Sequence, residues 1–377
     1  MTRRERLMAT LRGERVDRLP VSFYEIDGSQ NTQDPDPFNI YSHPSWHPLI
    51  ELARDKSDCI VRRGVPFKNT PPDPLAALTK TETVLDAQGS RLTTTTIRAG
   101  RRTLTCRQQR DRDIDTVWTI EHLFKDTDDL KAWLDLPEAT LGGTPDVDII
   151  LNIEKEVGDA GIAMVDTSDP LGSAALLFDM AQFTVVAMTE PTLFHRLLER
   201  FARRIHWQTE AIAKALPGRL WRICGPELAS PPYLPPSLFQ EYVVPYDKPM
   251  VAAIQKYGGF ARIHSHGRLK DILHHIAATG CVGLDPIEPP PQGDVELSFV
   301  REKVGSQMVL FGNLEASDIE NLPTPQFEKK IMTAIREGTT GPGRGFVLMP
   351  SACPYGRVLS PLALANYRKM VEVVEGG

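Results

Sequence analysis

What the chain lacks narrows it first. Nowhere in its 377 residues does an apolar run approach the roughly 18 residues of a membrane span, and the basic opening MTRRERLMATLRGERVDRLP has no apolar core of the kind a secretory leader needs. There is no block of lysine or arginine and the formal net charge is -6, so general affinity for nucleic acid is not expected. Cysteine is scarce. The five, at positions 59, 106, 224, 281 and 353, form no CxxC and no even framework, which suits a reducing, cytoplasmic setting. No GxGxxG follows an apolar run and no P-loop occurs, so a nucleotide would find no phosphate cradle. GTTGPGRG (Gly338 to Gly345) precedes an apolar run and reads as a flexible loop. With 41% hydrophobic and 24% charged residues, the composition is that of an ordinary globular protein.

Eight short apolar runs punctuate the chain: LPVSFYE (19–25), DCIVRR (58–63), GIAMVDT (161–167), RLWRICG (219–225), FARIH (260–264), CVGLDPIE (281–288), QMVLFGN (307–313) and GFVLMPS (345–351). Most are followed by segments of helical spacing, so the expected fold is α/β, a (β/α)8 TIM barrel forming one domain over residues 1–377. An N-terminal helical segment runs from Thr2 to about Arg12, with Leu7, Met8 and Leu11 on one side. The threonine-rich alternation RLTTTTIRAGRRTLTCRQQ, broken by Gly89 and Gly100, predicts β-hairpins inserted at about 79–118. A doubly wound open sheet is the alternative architecture, and it too would end its strands in polar residues.

Nearly every run does end that way, with Glu25 and Asp27, Arg62 and Arg63, Asp166 and Ser168, Glu227, His264 and His266, Asp285 and Glu288, Asn313, and Ser351 with Cys353. Barrel active sites assemble at those ends. In RIHSHGRL the two histidines, His264 and His266, are separated by one residue, and in an extended chain residues two apart project from one face. Both imidazoles can therefore aim at one point. Four further groups receive bland readings: Cys59, Cys106, Cys224 and Cys281 as core thiols, His274 and His275 as structural, YSHPSWHPL as a surface loop, and Glu227 as the cap of a turn or the partner of Arg222.

RERLMATLRGERVDRLPV, YLPPSLFQEYVVPYDKPMVAAIQKYG, HSHGRLKDIL and FGNLEA together resemble the uroporphyrinogen decarboxylase superfamily over most of the chain. That resemblance implies one of two chemistries, cofactor-independent decarboxylation of a porphyrinogen or zinc-dependent methyl transfer involving a corrinoid. The decarboxylases carry an arginine-rich motif after the first strand. Here that stretch is FYEIDGSQ, with Glu25 and Asp27 and no arginine, which would repel a polycarboxylate. The methyltransferases carry a His-x-Cys pair and a later Cys as zinc ligands; this chain has His264 and His266 at the first location and Cys353 at the second.

By this resemblance the zinc ligands would be His264, His266 and Cys353, with Glu227 as a fourth or replacement ligand. Replacing a thiolate by an imidazole leaves zinc more electrophilic, which favours an oxygen-linked methyl donor. Glu227, Asp285 and Asn313 are the catalytic candidates, and Tyr24, Glu25, Asp27 and Asp166 the substrate-binding ones. The expected reaction moves a methyl group from a methoxylated or otherwise methylated small molecule to cobalt. The chain has no DxHxxG motif, so the corrinoid (cobalamin) is expected on a partner protein. Homodimerisation is a further expectation. Transfer in the opposite sense, from methyl-corrinoid to a thiol or tetrahydrofolate, is an alternative, as are a decarboxylase-like enzyme and a metal-free binding barrel.

Overall fold

A computed structural model describes residues 1–376. Seven parallel strands, Cys59–Arg63, Gly161–Ser168, Leu220–Cys224, Phe260–Ser265, Gly283–Pro286, Val309–Leu314 and Phe346–Pro350, lie side by side in chain order. The eighth place is taken by residues 20–22. Val21 bridges in parallel to Leu348, the Ser22 and Leu348 N–H groups donate to Leu348 and Pro20 carbonyls at 3.0 Å, and the Asp58 N–H donates to the Val21 carbonyl at 2.7 Å. These contacts close the ring, so the architecture is a TIM-type barrel. The predicted first strand is shorter than its apolar run: Pro20 has no N–H to give, and Tyr24 turns left-handed at φ 57°. Counted from this segment, His264 stands on the fifth strand and His266 just past its end.

Alternation decides what faces inward. Ile60, Ile162, Met164, Leu220, Val309, Phe311, Val347 and Met349 form one buried apolar cluster, and Leu7 and Leu11 of the opening helix Arg3–Arg12 plug it. A capping box of Thr2 and Glu5 starts that helix, and Gly13 in the left-handed conformation (φ 75°) ends it. Continuing two residues at a time toward the C-terminal ends, the inward face turns polar: Leu220 is followed by Arg222 and Cys224, Phe260 by Arg262 and His264, and Met164 by Asp166. The barrel is thus oil below and ions above. Asp58, wholly buried at the opposite end, takes Arg6 at 2.6 Å, Arg18 at 2.8 Å and the Val21 N–H at 2.9 Å, which ties the short first segment to its neighbour.

The predicted insertion is a four-stranded antiparallel sheet, Thr79–Leu85, Arg91–Ala99, Arg102–Arg110 and Val117–Glu121 in that order, reaching slightly past its expected end. Its threonines pair across strands, Thr81 with Thr95 at 3.2 Å and Thr83 with Thr93 at 3.1 Å. The sheet docks on loops near the barrel mouth through Arg91 with Asp36 (3.2 Å) and Tyr41 with Asp115 (3.1 Å). YSHPSWHPL is not a surface loop. It forms two short turns and the start of helix His47–Lys56, and Trp46 is fully buried with its indole N–H on the Arg357 carbonyl at 3.1 Å.

Candidate functional site

The polar upper layer is a continuous chain of contacts across the mouth. Cys353 Sγ donates to Glu25 Oε2 at 3.2 Å, and Arg62 donates to Glu25 Oε1 at 2.6 Å while its Nε stands 3.9 Å from Asp166. Arg222 donates to Asp166 Oδ1 at 2.7 Å and to the Tyr24 hydroxyl at 2.6 Å. That hydroxyl stands 3.5 Å from His264 Nε2, and His264 Nδ1 is 2.8 Å from Asp285 Oδ2. Asp285 Oδ1 faces Arg262 Nε at 3.0 Å. The last contact is charge on charge, because its geometry makes no hydrogen bond and leaves both atoms without a hydrogen-bonding partner among the described residues. Three arginines meet three carboxylates, so the layer is charge-balanced.

Burial grades this layer. Arg262 and Asp285 are sealed from solvent, whereas Glu25, Arg62 and Asp166 remain partly open at the mouth. Burial alone would raise the Asp285 carboxyl, but Arg262 and His264 outweigh it and hold it down at about 2. Gly283 is what lets Arg262 lie there: a Cβ at that position would come within 3.2 Å of both the Arg262 stem and the Phe311 ring. The guanidinium then sits 4.7 Å above Phe311.

A second carboxylate holds the second histidine. His266 Nδ1 is 2.8 Å from Glu288 Oε1, and Glu288 Oε2 accepts the Gly267 N–H at 2.7 Å. Burial opposes both charges, yet their mutual attraction prevails: the imidazole is raised and the carboxyl lowered from their ordinary values. His264 and His266 are two residues apart, while Asp285 and Glu288 are three apart, and an odd spacing in an extended strand would face opposite sides. The mismatch is absorbed at Ile287, which is buried and left-handed at φ 61°, a rare conformation for a β-branched residue. Both imidazoles thereby receive a partner at Nδ1 and keep Nε2 for chemistry. Their rings lie 4.6 Å apart, nearly perpendicular.

Of the expected zinc ligands, His264 and His266 stand side by side, while Cys353 and Glu227 have other partners. Among the described residues no group of three or more His, Cys, Asp or Glu is placed to hold a metal ion. Cys353 is a thiol engaged with Glu25, raised first by burial and then by that carboxylate, and Glu227 accepts the Gly225 N–H at 2.9 Å as the clamp of its own turn. As placed, the described residues offer a zinc ion no three-ligand group. Asp27 also serves its own turn, accepting from the Ser29 N–H at 2.9 Å. Asn313 is buried beside the seventh strand's end. Arg222 pairs with Asp166 and Tyr24 rather than with Glu227. Cys224 is not a core thiol: it is partly exposed, in register with His264, and burial pushes it up to about 12.

Sequence reasoning missed Arg262 and Glu315. A charged residue inside an apolar run, as in FARIH, was the available signal for the first. Glu315 follows the seventh strand, accepts from Ser351 at 3.3 Å with one oxygen and, among the described residues, has no partner for the other. Burial, aided by Glu288, pushes its carboxyl up to about 7 from an ordinary value of 4.5. Because the folded value is the higher one, the penalty is absent below about pH 4.5, grows as pH rises toward 7 and is constant beyond it. Glu315→Gln is therefore expected to raise stability at pH 8 by on the order of 1–3 kcal/mol and to leave it nearly unchanged at pH 4, as checked by thermal melts at both.

A TIM-type barrel with a charge-balanced polar layer and two carboxylate-held histidines at its C-terminal mouth is an enzyme-like site of the α/β class. The family description "Uroporphyrinogen decarboxylase (URO-D)" matches residues 119–376, well over half of the chain, and the chain belongs to that family. No curated protein matches it. Among solved structures, a D-psicose 3-epimerase in the presence of D-fructose is 10% identical, covering 61% of this chain and 84% of its own with a TM-score of 0.36. The D-psicose 3-epimerase of Clostridium cellulolyticum H10 with D-tagatose is 10% identical, covering 61% and 92% with a TM-score of 0.33. At such low similarity nothing about substrate transfers.

Proposed function

We propose that the chain is a methyltransferase that takes a methyl group from a neutral methoxylated small molecule and passes it to the cobalt of a separate corrinoid protein. The observation that carries this reading is the charge balance of the mouth. Arg62, Arg222 and Arg262 are each matched by a carboxylate, and Arg63 stands 3.7 Å from Asp27, so a polycarboxylate substrate would find none of these cations free. A neutral ether meets no such mismatch.

The chemistry required of the chain is modest. A reduced corrinoid on a partner would supply the acceptor for the methyl carbon, and the electron pair of the broken carbon–oxygen bond would stay on the donor's oxygen, where the chain must supply a proton. His264 is suited to give it: Asp285 holds Nδ1 at 2.8 Å, and Nε2 stands 3.5 Å from the Tyr24 hydroxyl. Tyr24, held by Arg222, orients the ether oxygen.

The test is spectroscopic. The chain, free reduced cobalamin and a methoxylated arene should together give methylcobalamin and the phenol, and omitting the chain should abolish the change. Carbon dioxide release from a porphyrinogen without cobalt would refute the proposal.

A further inference from the structure

Among the buried arginines, Arg6 faces Asp58, Arg222 faces Asp166 and Arg262 faces Asp285. Arg301, only 8% exposed, faces no carboxylate among the described residues. Its Nε donates to the Thr340 carbonyl at 3.2 Å and its Nη1 to the Gly345 carbonyl at 3.3 Å, while Nη2 has no acceptor among the described residues. Two neutral carbonyls leave a whole positive charge in place. Burial lowers the pKa of this guanidinium, and no anion offsets the effect.

Arg301 lies in the wall of a cavity of 770 Å³ at the N-terminal end of the barrel, opposite the mouth. Helix Leu297–Val304 brings Ser298 and Arg301, three residues apart and so on one face, and helix Thr324–Thr339 brings Arg336 alongside. Ser306 adds a hydroxyl. The two carboxylates of the wall are engaged: Glu302 stands 2.9 Å from Lys303, and Glu337 accepts the Ser298 N–H at 3.2 Å and stands 3.6 Å from Arg336. The charge left unmatched is that of Arg301.

The segment GTTGPGRG passes over this guanidinium. A Cβ on Gly343 would stand 2.0 Å from Arg301 Cζ, so the close approach requires glycine there. The loop is pinned beyond that point, where the Arg344 N–H donates to the Gly305 carbonyl and Arg344 Nη2 to the Leu11 carbonyl, both at 2.7 Å. Among the described residues the N–H groups of Gly341 and Gly343 have no backbone acceptor. This is no P-loop, because it leads into strand Phe346–Pro350 where a P-loop would leave one. The cation comes from the neighbouring helix instead.

We infer that Arg301 and the glycine loop bind the phosphate group of a small phosphorylated molecule. The free guanidinium nitrogen, the serine hydroxyls and the glycine N–H groups are donors around one unmatched positive charge, and a tetrahedral phosphate accepts from several directions at once. A planar carboxylate would use fewer of them. Barrel reactions assemble at the other end, so this ligand is held rather than transformed. The inference is independent of methyl transfer, and either can fail without the other.

Isothermal titration of the full chain with inorganic phosphate should show one phosphate per chain, with a Kd on the order of 1 mM. Arg301→Gln should weaken binding about tenfold or more, the loss of a charge-assisted contact. Arg336→Glu changes an exposed side chain, which spares the fold, and should weaken binding about tenfold by reversing a charge in the wall. Arg63→Gln, at the mouth, should bind as the parent does. A parent that takes up no phosphate, uptake unchanged in both the Arg301 and Arg336 variants, a loss confined to Arg63→Gln, or acetate competing as well as phosphate would each overturn the inference.

Discussion

Asp285→Ala is expected to cost about 3–5 kcal/mol in denaturant-unfolding stability, the range seen when one member of a buried ion pair is removed and the other charge is left behind. The carboxylate is sealed from solvent and faces Arg262, itself fully buried and held down from its ordinary value first by burial, with Asp285 the foremost of the groups that offset it. The same change frees His264 from its Nδ1 partner. Stability and methyl transfer should therefore fall together. Asp285→Asn should recover part of the stability by filling the space, without restoring the charge.

His264→Gln separates the two effects. The amide can still reach Asp285, so the unfolding midpoint should move little, but no proton can be delivered from that position. Turnover of a methoxylated donor is expected to fall by about 10²-fold or more, the scale of a lost general acid. A donor whose leaving group is a better anion needs less protonation and should be affected less. Equal losses across a leaving-group series would assign His264 a positioning role instead.

The barrel was legible because its inward face is written in alternation. Apolar runs of five to eight residues ending in polar ones mark buried parallel strands, and seven of the eight runs form strands while the first contributes a bridge at Val21. The hairpin insertion was legible for the same reason, in its threonine ladder. The pair His264 and His266 could be placed together from spacing alone. Their partners could not, since Glu288 reaches His266 only through the left-handed turn at Ile287, and nothing in LDPIEPP announces a residue of that conformation. Arg222 and Arg262 were hidden for a related reason: a residue two places below a strand end points into the barrel, and whether it meets Asp166 or Glu227 depends on strand register, which pairs Arg222 with Asp166. The ligand grouping was inferred from family resemblance, and the side chains of Cys353 and Glu227 are engaged elsewhere.

The most direct measurement follows the methyl carbon itself. A methoxylated donor carrying an isotopically labelled methyl group, incubated with the chain and a reduced corrinoid protein, should deliver the label to cobalt and leave the unlabelled alcohol or phenol, with no labelled carbon dioxide formed. A label that stays on the donor while the chain releases carbon dioxide from a carboxylated porphyrinogen would contradict the account.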